Sequence, residues 1–183
     1  NAGTLSVATG QNLTLIGGTV VNTGTLSAPG GAIMISAVPG ESVVRISQEG
    51  HLLNLEIAAL DGTETPLPFT PLDLPTLLTG SELANATGIE VNPDGTVQLT
   101  GSPLSAPSDI GTVLISGTVD TRIGEESVDS RPQIAVTGDR VALLNATLDV
   151  SSTAGGGTIR IGGDYQGNGT LRNAQHTYVD TAS

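Results

Sequence analysis

The sequence predicts an all-β protein built as a β-solenoid, interrupted by one proline-rich excursion loop. Three observations carry that expectation. Short segments of alternating aliphatic and small polar residues recur along the chain, each closed by Gly, Asn, Asp or Pro. A stretch near the start is repeated near the end. The composition pairs 25 glycines in 183 residues with 37% hydrophobic but only 2% aromatic residues. That is twice the usual glycine content of about 7%. A core made from such a chain has to be Leu, Ile, Val and Ala, without the aromatics that supply much of an ordinary core.

The segments follow one another in order. Thr4 to Val7 reads TLSV, Asn12 to Gly17 NLTLIG, and Ala32 to Val38 AIMISAV. Ser42 to Ser47 (SVVRIS) and Leu52 to Ile57 (LLNLEI) follow, then Thr96 to Gly101 (TVQLTG), Thr112 to Val119 (TVLISGTV) and Gln133 to Gly138 (QIAVTG). The last group is Arg140 to Val150 (RVALLNATLDV), Thr158 to Gly163 (TIRIGG) and His176 to Val179 (HTYV). Each has the length and period-two alternation of a strand. Glycine and proline interrupt nearly every window long enough for a three-turn amphipathic helix.

The repeat aligns Gly10 to Ser36 with Gly138 to Gly162, the second copy being two residues shorter in its loop. Leu13, Leu15 and Ile16 match Val141, Leu143 and Leu144, and Thr19 and Val20 match Thr147 and Leu148. The pair Gly30–Gly31 matches Gly156–Gly157, and Ile33 and Ile35 match Ile159 and Ile161. Repetition of strand and turn units is the signature of stacked rungs. In such a stack each strand lies about 4.8 Å above the previous one, aliphatic side chains pile on their counterparts, and Gly and Asn turn the corners.

The chain reads as a single domain, 1–183, with the excursion at 58–95. Prolines 66, 68, 71, 75 and 93 fall in that stretch, and proline cannot donate to a strand ladder. One short helix is expected near Leu74 to Leu78. The excursion is read as a cover over apolar surface on one flank, with a ligand or partner loop as its functional alternative. A second, charged loop is expected from Arg122 to Pro132.

Composition excludes several function classes. Acids number 18 and bases 6, all six of them arginine, for a net charge of −12. This argues against a basic nucleic-acid face and against docking on an anionic membrane. The absence of cysteine removes disulfides, thiolate metal sites and thiol nucleophiles. No apolar run reaches the roughly 18 residues of a membrane helix, and NAGTLSVATG at the start has neither the charge nor the apolar stretch of a signal peptide.

Four stretches carry a family resemblance: PLDLPTLLTG, NATGIEVNPDGTVQLTGS, GDRVALLNATLDVSS and GGGTIRIGGDYQGNGTLRNAQHTYVD. They resemble segments of exported proteins of the filamentous haemagglutinin type, in the cyanobacterial part of the two-partner secretion group. The most specific pattern is GGDYQG-x-GT-x-x-NA-x-x-T-x-V, and the resemblance runs from about Gly10 to the end. It implies a right-handed parallel β-helix, secretion through an outer-membrane barrel partner, and work as an adhesin or surface filament. The family's N-terminal secretion domain is not evident here, and NPDG at Asn92 to Gly95 sits outside its signature context. The chain therefore resembles a shaft segment. No catalytic motif comes with the resemblance.

Little in the sequence points to catalysis, so the expectation is that the protein is not an enzyme and uses no cofactor or metal. His51 and His176 are isolated, and no G-x-S-x-G elbow supports a triad. Asp139, Arg140, Asp149, Arg160 and Asp164 would make a catalytic or sugar-binding cluster only by gathering on one face. No D-x-[DN]-x-[DN]-G calcium loop is present. The sequons at Asn12, Asn85, Asn145 and Asn168 read as turn asparagines before strand threonines. The candidate binding residues are Tyr165, Asp164, Asn168 and Tyr178, the tyrosines being the best anchors for a sugar or a partner.

The expected function is that of a secreted, cell-surface structural or adhesive β-solenoid, either a shaft segment or a head-to-tail filament subunit. Its expected partners are other copies of itself or flanking rungs, the outer-membrane secretion partner and surface glycans. Neither terminus shows a capping helix or a polar end rung. The alternative is a carbohydrate-binding or carbohydrate-active protein on the same scaffold.

Overall fold

The computed structural model describes residues 1–38, 111–124, 132–153, 155–181 and 183, together with the backbone of four strands between 43 and 100. In chain order the strands are β1 (Thr4–Ser6), β2 (Leu13–Gly17), β3 (Thr19–Asn22), β4 (Thr25–Ser27) and β5 (Ala32–Ala37). Next are β6 (Val43–Ile46), β7 (Leu55–Ala58), β8 (Gly88–Val91) and β9 (Val97–Thr100). The chain continues with β10 (Thr112–Ile115), β11 (Thr118–Asp120), β12 (Gln133–Thr137), β13 (Arg140–Leu143), β14 (Thr147–Asp149), β15 (Thr158–Ile161) and β16 (His176–Val179). Among the described residues there is no α-helix, only one 3-10 turn at Tyr165–Gly167.

Twelve of the strands form three parallel sheets of four. Sheet I orders β1-β4-β11-β14, sheet II β2-β5-β12-β15, and sheet III β3-β10-β13-β16. The chain visits the three sheets in rotation, which gives an all-β, solenoid-like parallel architecture. Every pairing within these sheets joins strands one circuit apart. At most rung corners backbone bonds continue the ladder, as from Thr118 N–H to the Gly24 carbonyl (3.0 Å) and from Thr147 N–H to the Gly117 carbonyl (3.0 Å).

Register turns the alternating sequence into vertical columns. In sheet II the inward columns are Leu13, Ile33, Ile134, Ile159 and Leu15, Ile35, Val136, Ile161. In sheet I the column is Leu5, Leu26, Val119, Leu148. Sheet III contributes Val20, Val113, Val141 and, beside them, Ile115 and Leu143. The inner cluster contains only Val, Leu, Ile and Ala. Leu26, Ile35 and Ile115 are fully buried, and burying an aliphatic side chain of this size stabilises the fold by about 1.5–3 kcal/mol. Asn22 is the polar member of the inner face. It is fully buried, donates to the Gly24 carbonyl (3.1 Å) and accepts from the Asn1 amide (2.9 Å), so its burial leaves no unmet bond of the costly kind.

The sheets differ on their outer faces. Sheet I presents Thr4, Thr25, Thr118 and Thr147 in one column and Ser6, Ser27, Asp120 and Asp149 in the next. Sheet III is buried on both faces at its centre. Leu114, Ala142 and Leu144 are fully buried yet stand outside the inner cluster, the pattern of a parallel sheet covered on both sides.

Two expectations change. SVVRIS, LLNLEI and TVQLTG were expected to supply rungs, but β6 pairs antiparallel with β7 and β8 antiparallel with β9, in two separate two-stranded sheets. Among the described residues, the three stacked sheets take no strand between β5 and β10. The other revision concerns the repeat. Ile33 and Ile159 do share a column, but Leu13 lies in sheet II and its match Val141 in sheet III. The first copy holds one strand more, β4, so its first half runs one side out of phase. The excursion at 58–95, apart from the backbone of Ala58 and of β8, lies outside the described residues, as do the helix near Leu74 to Leu78, most of the loop from Arg122 to Pro132, His51 and Asn85.

Candidate functional site

Three of the four candidate binding residues, Asp164, Tyr165 and Asn168, lie together in the connection from β15 to β16. In two other layers that corner between sheets II and III is tight: Gly18 joins β2 to β3, and Gly138–Asp139 joins β12 to β13, whereas the long segment that holds β6 to β9 separates β5 from β10. After β15 the chain instead makes a compact excursion whose ends meet, the Ala174 N–H donating to the Gly162 carbonyl at 2.7 Å. This is the geometry of an Ω-loop.

The local sequence GGDYQGNG explains the shape. Gly163 adopts φ +132 and Gly167 φ +69, a region open to glycine but strained for other residues. Gln166, at φ 55, takes the left-handed turn between them. The 3-10 turn at Tyr165–Gly167 is closed by Gly167 N–H to the Asp164 carbonyl (3.0 Å) and Asn168 N–H to the Tyr165 carbonyl (3.3 Å).

Side chains then pin the loop. The Asp164 carboxylate accepts from the Leu171 N–H at 3.0 Å and pairs with Arg160, four residues earlier on β15, at 3.0 Å. A β-carbon at Gly169 would collide with that same carboxylate. Asn173 donates to the Gly167 carbonyl at 3.2 Å. Arg172 forms an ion pair with Asp139, whose backbone carbonyl also accepts from Gln175 N–H (2.8 Å) and His176 N–H (3.2 Å). The loop is thus anchored to the rung below it as well as to itself.

Tyr165 stands at the tip of this frame, 85% exposed, with its hydroxyl 3.4 Å from the Gln166 amide. Asn168 is exposed beside it. Tyr178 is not part of this group. It lies on β16, opposite Ala142 of β13, on the outer face of sheet III. Partial burial, and then the nearby Asp180 carboxylate, push its phenol above the usual tyrosine range.

The charged residues of the possible cluster gather only in part: Arg160, Asp164 and Asp139 hold the β15–β16 loop, while Asp149 lies on sheet I. Asp139 pairs with Arg172, Arg160 with Asp164, and Asp149 with Arg122, which also holds Asp120. Arg140 is buried on sheet III. His176 is half-buried on β16, and among the described residues no group of three or more His, Cys, Asp or Glu could hold a metal ion. Asn145 takes φ 51 at a corner, and the Asn12 side chain accepts from Ala32 N–H at 3.0 Å, so both act as turn asparagines.

Sequence reasoning found the tip of the loop but not its supports. Arg172 carried no signal of its own, Asn173 stood only within the GGDYQG-x-GT-x-x-NA pattern, and Asp139 and Arg160 were candidates for a catalytic or sugar-binding cluster. The one local clue was the spacing of Arg160 and Asp164, four apart. No protein-family model matches the chain, and neither a curated protein nor a solved structure does.

Proposed function

We propose that the chain is a structural and adhesive β-solenoid of the cell exterior, a right-handed parallel β-helix serving as a shaft segment or head-to-tail filament subunit. Its mechanism is mechanical: a stiff, hydrogen-bonded column holds its loops at a distance from the cell. The family resemblance of the GGDYQG stretch is the ground for secretion through an outer-membrane partner. No helix among the described residues is long and apolar enough to cross a membrane.

The observation that carries this reading is the in-register stack and its outermost layers. Among the described residues, β1, β2 and β3 at one end, and β14, β15 and β16 at the other, each pair on one side only within their sheets. Leu5 at the first end and Ile159 and Val179 at the other are 39%, 39% and 49% exposed. An unpaired parallel edge over aliphatic side chains is a template for another strand layer. Both ends run their strands the same way, so a flanking rung or a second copy continues the ladder, and a repeated head-to-tail contact that does not close produces a filament.

The test is to concentrate the purified chain and examine it by fibre diffraction and amide exchange. The reading expects fibres with an axial layer line near 4.8 Å and slowed exchange in β1 and β16 as they form. Dispersed monomers at high concentration, with both terminal rungs already protected, would contradict it.

A further inference from the structure

We propose that the loop carrying Tyr165 is a glycan-binding element that stacks the tyrosine ring against the face of a neutral sugar. The ring sits on the corner loop that joins β15 to β16 in the outermost layer, not on the edge of either strand, and the inference does not rest on end-to-end assembly.

The first ground is the ring itself. The inner cluster uses no aromatic residue, and Tyr165 is 85% exposed. An aromatic side chain carries a large apolar surface and a polar tip. Here nearly all of it is left to solvent by a loop that has glycines enough to fold it inward.

The second ground is preorganisation. Asp164, Arg160, Arg172 and Asn173 fix the loop through the bonds described above. A ligand meeting this ring does not have to order the loop, which removes a main cost of binding to surface segments.

The third ground decides the chemistry of the ligand. Both arginines that hold the loop, Arg160 and Arg172, are matched by Asp164 and Asp139. The loop therefore offers no surplus positive charge to a phosphate, a sulfated polymer or an acidic polysaccharide. The groups around Tyr165 are amides and hydroxyls: Gln166, Asn168 and Thr170 are all exposed. No other side chain of the loop is an exposed large apolar one. A protein hot spot needs surrounding contacts that exclude water, and this tip has none. A ring with an apolar face and neutral hydrogen-bonding neighbours matches a pyranose, whose C–H face is apolar and whose rim is hydroxyl.

The experiment uses the full chain and soluble neutral hexasaccharides (β-1,4-glucan, α-1,4-glucan and mannan), with heparin as the charged comparator. The chain has no Trp and two Tyr, so tyrosine emission reports the site directly, and calorimetry gives the affinity. The proposal expects saturable binding of at least one neutral hexasaccharide, insensitive to salt. It expects Tyr165→Ala to weaken that binding tenfold or more, as loss of an aromatic anchor does, with an unchanged melting temperature. Tyr165→Phe should stay within about threefold, since the stacking face remains. Arg172→Gln, which leaves the ring in place and frees the loop, should also weaken binding. Saturation by none of the three neutral sugars, binding of heparin alone, or equal affinity in Tyr165→Ala would each overturn it. Fibre formation without sugar binding defeats this proposal and leaves the rod reading standing, and sugar binding by dispersed monomers does the reverse.

Discussion

Gly117 lies directly against the carbonyl oxygen of Gly24, its counterpart one rung away at the corner that leads into sheet I; a β-carbon at Gly117 would collide with that oxygen. Gly24 stands in the same relation to the Gly3 carbonyl. In three of the four layers the corner is thus glycine (Gly3, Gly24 and Gly117), with Ala146 in the fourth, and the backbone layers reach hydrogen-bond distance there, as between Thr118 N–H and Gly24.

Gly117→Ala is therefore expected to cost about 3 kcal/mol, in the range of severe backbone and packing changes. That corresponds to a fall in Tm of about 6–12 °C for a domain of this size. Gly124→Ala, where nothing among the described residues lies within 4 Å of the added carbon, should leave Tm within about 2 °C. Thermal unfolding followed by far-UV circular dichroism checks both.

The aliphatic columns predict a gradient from the middle of the stack to its end. Ile115, fully buried and flanked by rungs on both sides, should lose about 3–4 kcal/mol on truncation to alanine. Ile159, on the outermost strand of sheet II and 39% exposed, should lose less than about 2 kcal/mol. Urea titration of Ile115→Ala and Ile159→Ala measures the difference, and equal losses would mean that the columns are not layered as described.

Acid should weaken the fold partly through Asp149. The Ser151 hydroxyl and then the Ser151 N–H hydrogen-bond its carboxylate, with Arg122 opposite, and hold it below the usual aspartate range. The unfolded chain therefore takes up this proton at higher pH than the folded one. The stabilisation is complete above about pH 4, the ordinary range, and is lost as pH falls through the depressed folded value. Asp149→Asn should lower stability at neutral pH and flatten the acid limb of a stability–pH profile.

Tyr178 predicts the opposite limb. Burial raises its phenol above the usual range, so its contribution is intact below about pH 10 and is lost as pH rises through the folded value. Tyr178→Phe should flatten the alkaline limb, as absorbance-monitored titration against stability would show.

Much of this architecture was legible because a strand's period of two is written directly in residues such as Ile33, Ile35 and Ile134, Val136. What the sequence did not say is which wall of the solenoid each strand occupies. Sheets II and III share the same inward aliphatic pattern, so Leu13 aligns with Val141 although the two belong to different sheets. Nor does alternation distinguish parallel from antiparallel pairing, which is why β6, β7 and β9 read as rungs. Sheet III was marked by the unbroken apolar run Val141 to Leu144, the sign of a strand buried on both faces. At the loop, Tyr165 stood out as one of only two tyrosines, but the ion pair of Arg172 with Asp139 joins residues far apart in the chain, and only the stacking of one rung on the next brings them together.

The central claim is that strands one circuit apart lie in register, and engineered disulfides test it in a chain that has no cysteine of its own. Thr25 and Thr118 are in-register neighbours on sheet I, and Thr147 follows one layer further. Oxidation of Thr25→Cys/Thr118→Cys should give an intramolecular disulfide in high yield, since adjacent layers fall within the Cα separation of up to about 6.8 Å that a disulfide accepts. Thr25→Cys/Thr147→Cys, two layers and about 9.6 Å apart, should stay reduced or cross-link only between molecules. Equal yields from the two pairs, or closure of the second alone, would contradict the stacked register.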